Sequence, residues 1–188
     1  SIQDDALAVA EAQLFATLEE IKLSGIAASE LPLIFVRVRS PQHLKKIAEG
    51  VCDRELNITG FVLPKFDLSN AGEYLSALEC CEYELGRQLY VMPTLESRLV
   101  SSLRNRVAML EEIKSILDTK RDNVLNIRVG GNDFCSLYGL RRNSNQTVYD
   151  IRVISDILAN ILNVFSVNYV VSGPVWEYFG GANGAWEK

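Results

Sequence analysis

What this sequence has little of narrows it first. Its 188 residues include one histidine, His43, and four cysteines, Cys52, Cys80, Cys81 and Cys135, with no CxxC pair. Neither a zinc centre nor a disulfide framework follows from that spacing. The thiols read as free, mostly buried groups in a reducing cytoplasm. No serine or cysteine is spaced to form a triad with His43, which reads as a surface or capping residue. No apolar run is long enough to span a bilayer, and no basic segment leads into an apolar stretch and a small-residue cleavage site. Membrane partners and secretion are therefore not expected. Positive charge is not in excess either: 19 Lys and Arg against 24 Asp and Glu leave a net charge of −5. That argues against nucleic acid as the main partner, because phosphate binding needs a basic face. No GxGxxG follows an early strand, and no GK[ST] follows Gly130-Gly131 or Gly180-Gly181, which removes the dinucleotide fingerprint and the P-loop.

What is present is regular. Short, nearly continuous apolar runs at Leu33 to Arg39, Ile58 to Pro64, Gln88 to Thr94, Val124 to Gly130 and Tyr169 to Gly173 predict buried parallel strands. Amphipathic segments lie between them. An opening helix is expected over Asp4 to Ile21, behind an acidic cap at Ser1 to Asp5. Ser40-Pro41 opens another that runs to about Cys52, with proline suited to the first turn. Asp67 to Asn70 supplies cap residues for a helix ending near Gly86. The longest is expected from Glu96 to Asp118, on the spacing of Leu99, Leu103, Val107, Leu110 and Ile113. Thr147 to Phe165 repeats the pattern with Val148, Ile151, Ile154, Ile157, Leu158 and Ile161.

Strand–helix alternation of this kind signals parallel βα units. With the dinucleotide fingerprint missing, the expected architecture is a (β/α)8 TIM barrel in one domain, 1–188, of which about five units are visible. The chain opens on a helix with no strand before it and closes on a glycine-rich loop. Two strands before residue 1 and one after residue 188 would complete a barrel.

Ligands of such folds bind at the carboxyl ends of the strands. Those ends carry Arg37 and Arg39, Lys65, Glu96 with Ser97, and Asn132-Asp133. Each has a plain alternative: Glu96 and Asp133 as helix N-cap or first-turn residues, Lys65 as a loop residue. Arg37 is harder to set aside, because a charge inside an apolar strand needs a partner. Taken together, the carboxylates offer hard oxygen ligands for Mg²⁺.

At these strand ends the sequence resembles the citrate lyase beta-subunit and HpcH/HpaI aldolase family, with its malyl- and citramalyl-CoA lyase relatives. Val36-Arg37-Val38 resembles the arginine-bearing third strand of that family. Gly60-Phe61-Val62-Leu63-Pro64-Lys65 resembles its "G-hydrophobic-LPK" fourth strand, the most specific short match. Glu96-Ser97 falls where the family has Glu-Thr, and Gly130-Gly131-Asn132-Asp133-Phe134 resembles its "G-x-x-D-hydrophobic" sixth strand. There are departures. Arg39 stands where the family has Asn, and Asn132 where an acidic residue often precedes the aspartate. The family's acidic second-strand motif and its late Gly-Lys and His-Pro segment have no counterpart in the 188 residues. The closing stretch around Trp186 is similar to the loop before that last segment.

The resemblance implies a carbon–carbon lyase or aldolase acting on a carboxylated acyl compound, a CoA thioester among the candidates. Glu96 and Asp133 would hold Mg²⁺ or Mn²⁺, and Arg37 would be catalytic, binding a substrate carboxylate or carbonyl while an enolate forms. Arg39, Lys65, Gly131 and Asn132 would complete substrate binding. By the same resemblance the protein would be a homo-oligomer, with an acyl-carrier or lyase-complex partner conceivable. Two other readings stay open at this point. Arg39 and the pair Arg141-Arg142 hint at a phosphorylated or nucleotide-like ligand in a barrel without lyase activity. A purely structural subunit of a larger assembly is the other.

Overall fold

The computed structural model describes residues 4–143, 145–174, 179–180 and 186–187. The acidic cap expected at Ser1 to Asp5 begins outside them, as does most of the closing loop. The chain opens with α1 (Asp4–Leu23) and then alternates: β1 (Phe35–Arg37), α2 (Pro41–Asp53), β2 (Gly60–Leu63), α3 (Ala71–Leu85), β3 (Tyr90–Leu95). Next come α4 (Arg98–Ser101), α5 (Arg106–Asp118), β4 (Ile127–Val129), α6 (Gly131–Leu137), α7 (Arg152–Phe165) and β5 (Val171–Ser172). The strands form one parallel sheet in the order β1-β2-β3-β4-β5. This is the (β/α) barrel architecture with five of its strands, as the alternation predicts.

Local chemistry explains the helix limits. The Ser40 hydroxyl accepts the His43 backbone N–H at 3.1 Å, with Pro41 in the first turn of α2. Gly86 closes α3 in the left-handed region at φ 63°. The strands are shorter than the apolar runs that predicted them. Leu33, for example, lies outside β1 and is 69% exposed.

The register divides the sheet into two unlike faces. Val36, Phe61, Leu63, Val91, Leu95, Ile127 and Val129 share the outer face and are buried. Helices cover them with Leu44, Ile47 and Val51 of α2, Tyr74 and Leu78 of α3, Leu110 and Ile113 of α5, and Ile154, Ile157 and Ile161 of α7. Each fully buried aliphatic side chain of this kind stabilises the fold by about 1.5–3 kcal/mol. The inner face instead carries Phe35, Arg37, Val62, Tyr90, Met92, Thr94 and Arg128, of which Val62 and Thr94 are buried.

Two expectations need correction. The long helix over Glu96 to Asp118 is two helices. Arg106 is buried at the start of α5, and its guanidinium donates to the carbonyls of Val100 (2.9 Å) and Ser101 (2.7 Å) and to Asn160 Oδ1 (3.1 Å). The Tyr138 hydroxyl also donates to Ser101 O, at 2.7 Å. Side chains thus take the last carbonyls of α4 and end it, leaving Leu103 and Val107 exposed at 80% and 53%. The segment after β4 folds as α6, anchored by buried Phe134 and Cys135. Secondly, Trp186–Glu187 (β7), in the closing stretch expected to be loop, pairs antiparallel with Phe179–Gly180 (β6).

His43 caps, as predicted, but is not a surface residue. Its side chain is 12% exposed; its Nδ1 accepts the Arg39 backbone N–H at 3.0 Å and its Nε2 faces Glu11 Oε1 at 3.2 Å. Burial holds its pKa below the ordinary value, with Glu11 pulling the other way. The cysteines are free. Cys81 and Cys135 are buried but Cys80 is exposed, and burial pushes the Cys81 thiol up to about 12.

Candidate functional site

The carboxylate of Glu96 is the centre of the polar rim. It follows β3 directly, its side chain is 2% exposed, and its Oε1 receives two donors from two other strands. Arg37 of β1 approaches with Nη2 at 3.2 Å, and the backbone N–H of Lys65 donates at 3.0 Å. Lys65 can do so because it leaves β2 in a left-handed turn, φ 49°. An Asx-type loop holds that turn: Asn70 Nδ2 donates to Lys65 O, and Asn70 Oδ1 accepts the Asp67 N–H. The cap residues read from the sequence are therefore spent on the Lys65 loop, and Asn70 makes no side-chain cap to α3.

From the other side comes Asp133, in the first turn of α6, close enough for its charge to act on Glu96. Burial first, and then the negative charge of Asp133, push the Glu96 carboxyl above the ordinary carboxylate range. The Lys65 N–H and Arg37 oppose that shift. Gly130 is what lets the two carboxylates meet, since a Cβ there would overlap Glu96 Oε2. Neither carboxylate is an N-cap, since Ser97 and Gly130 hold those positions, but Asp133 does stand in the first turn of α6, as the plain alternative allowed.

A cleft of about 500 Å³ opens over the pair, lined by Lys65, Asp67, Asn70, Glu96, Ser97, Arg98, Asp133, Ser136 and Leu137. The buried Ser97 hydroxyl beside it has no hydrogen-bond partner among the described residues. The other predicted residues fall at different distances from this centre. Arg39 is exposed beyond β1, with its backbone held by His43. Gly131 is buried against Pro174 and Val148, where a Cβ would clash, and does not line the cleft. Asn132 turns away from it into a neighbouring cleft, where its Oδ1 accepts from Arg142 at 2.8 Å.

Sequence reasoning missed Arg128. The signal that singled out Arg37, a cation inside an apolar strand, applies equally to Ile127-Arg128-Val129 and places it on the same inner face. Among the described residues no group of three or more His, Cys, Asp or Glu gathers, so the acidic centre is a two-carboxylate one. No helix among them is long and apolar enough to cross a membrane.

Parallel strands with crossover helices, and an acidic pair facing an arginine at their carboxyl ends, define an enzyme of the (β/α)-barrel class. More narrowly, the chain belongs to the carbon–carbon bond lyases: the family described as "C-C_Bond_Lyase of the TIM-Barrel fold" matches residues 1–187. The protein is thus a carbon–carbon lyase. No curated protein matches the chain.

Proposed function

We propose that the protein is a Mg²⁺-dependent lyase or aldolase, related to the citrate lyase beta-subunit and HpcH/HpaI enzymes, that acts on a carboxylated acyl compound. The observation that carries this reading is the pair formed by buried Glu96 and half-buried Asp133, with Arg37 facing Glu96. Two neighbouring carboxylates, one of them held abnormally basic, make a poor arrangement without a cation and a good donor set with one. Glu96 and Asp133 would hold the metal. When bound, it supplies Lewis-acid stabilisation of the negative charge that develops on a carbonyl oxygen as the carbon–carbon bond breaks.

The remaining work falls to the chain's own side chains. Arg37 is 61% exposed despite its contact with Glu96, so its guanidinium has donors left to orient a substrate carboxylate. The Lys65 turn fixes the Glu96 rotamer, and Gly130 keeps the space between the carboxylates open. A CoA thioester and an acyl-carrier partner remain the expectation from the family resemblance, as does a homo-oligomer.

Calorimetric titration of Mg²⁺ or Mn²⁺, with and without pyruvate, tests the reading. The expected result is binding that tightens with the oxo acid and is lost in Asp133→Ala. Unchanged metal affinity in that variant, with its fold intact, would remove Asp133 from the site.

A further inference from the structure

Three carboxylates and two cations line the cleft over the acidic centre, and the cations do not close on the carboxylates. Asp67, Glu96 and Asp133 are the acids; Lys65 and Arg98 are the cations. Both cations are exposed. Among the described residues neither the Lys65 ammonium nor the Arg98 guanidinium makes an ion pair or a hydrogen bond. Elsewhere on this surface such neighbours do pair, as Lys114 with Asp118 at 2.7 Å, Lys120 with Glu79 at 2.7 Å and Arg152 with Asp156 at 2.9 Å. In the cleft the acids are engaged otherwise. Asp67 Oδ1 accepts the N–H and the hydroxyl of Ser69, and Glu96 has Arg37 and the Lys65 N–H.

The Lys65 backbone is also strained. Lys65 and Glu55 are the only non-glycine residues at positive φ among the described residues, and Lys65 is the one at the cleft. A glycine would adopt the same turn freely and donate the same N–H to Glu96. Seating Glu96 therefore accounts for the turn but not for a lysine in it. Strain that persists at a site points to what the strained residue alone supplies, and here that is an ammonium beside the cleft.

We propose that Lys65 and Arg98 bind an anionic group of the substrate remote from the carbonyl held at Glu96 and Asp133, and so select substrates that carry one. This rests on the reading of that pair as the reaction centre. Three carboxylates against two cations give the lining one net negative charge, which a bound divalent cation reverses to one positive. Arg37, still 61% exposed beside Glu96, adds to the positive side. A cleft of about 500 Å³ is of the size that takes one small molecule, so a single ligand spans the acidic pair and both cations. A guanidinium fork with an ammonium beside it suits a carboxylate or a phosphoryl group.

Matched 2-oxo acids that differ only in the remote group test this: 2-oxoglutarate against 2-oxovalerate for a carboxylate, and phosphonopyruvate against 2-oxobutyrate for a phosphonate. Each is titrated into the Mg²⁺-loaded wild type, Arg98→Met and Lys65→Gly, with melting temperatures measured for all three. In the wild type at least one doubly anionic probe is expected to bind about tenfold or more tighter than its match. The pair that shows this ratio identifies the remote group as carboxylate or phosphoryl. Arg98→Met should lower the ratio by about threefold or more. Lys65→Gly should do the same although it keeps the amide that Glu96 accepts, and it should melt no lower than the wild type because the strained turn is relieved. Ratios near one in the wild type would overturn the proposal, as would a ratio unaltered in either folded variant. Failure of Mg²⁺ to bind the wild type would instead sink the metal reading, and the same ratios in metal-free protein would then decide this one.

Discussion

The outer and inner faces of the sheet are built from the same strands, residue by residue in alternation, yet they obey different rules. Outside, Phe61, Leu63, Val91 and Ile127 are sealed under helices and hold the fold together. Inside, Arg37, Met92, Thr94 and Arg128 are partly open or unpaired and carry the polar chemistry. A period-two backbone lets one strand serve stability with one parity and binding with the other. Stability and function should therefore separate by parity along each strand.

Substitutions can break that separation or sharpen it. The largest effect is expected on the outer face. Phe61→Ala should cost about 3–5 kcal/mol in denaturant unfolding, whereas Met92→Ala, half-buried inside, should cost about 1 kcal/mol. Similar losses at both positions would mean that the inner face is core as well. Gly130→Ala comes next. Its Cβ has no room beside Glu96, so a cost of about 1–3 kcal/mol should accompany a marked loss of Mg²⁺ affinity, read by calorimetry on the same sample.

Smaller again is the pH response of Glu96. Its folded carboxyl binds a proton more tightly than the unfolded one. Without a cation, that contribution to stability is therefore full below the unfolded value of about 4.3 and is lost as pH rises through the raised folded value. Mg²⁺ affinity should run the opposite way, rising with pH over that window, because metal and proton compete. Melting curves of Glu96→Gln should lack this component of the pH slope, and a slope identical to wild type would remove Glu96 as its source. Smallest is Leu103→Ser: at 80% exposure in the break between α4 and α5, it should change stability by less than about 0.5 kcal/mol. A loss of 2 kcal/mol or more would restore the long helix predicted from periodicity.

Parts of this molecule were legible before folding because they depend on nearest neighbours. The strand–helix alternation, the Ser40-Pro41 start of α2 and the Gly86 stop of α3 follow from local propensity and capping. The conflict of Arg37 with its apolar strand was visible too, and the same test would have found Arg128. The break after α4 was not, because it depends on Arg106, Asn160 and Tyr138 converging on two carbonyls. The apolar spacing through Leu99 and Leu103 imitates a helix face that no partner covers. Nor did residue type distinguish Asp67, which accepts from the backbone of its own turn, from Asp133, which meets Glu96.

By itself the sequence determined the class of fold, through apolar periodicity, and the strand ends on which polar residues would gather. Tertiary structure decided which of those residues meet. It brought Asp133 beside Glu96, and turned Asn132 and buried Gly131 away from them. The physical reason is range. Periodicity and capping act over a few residues, whereas the protonation of Glu96 is set by burial and by a charge 37 positions away in the chain.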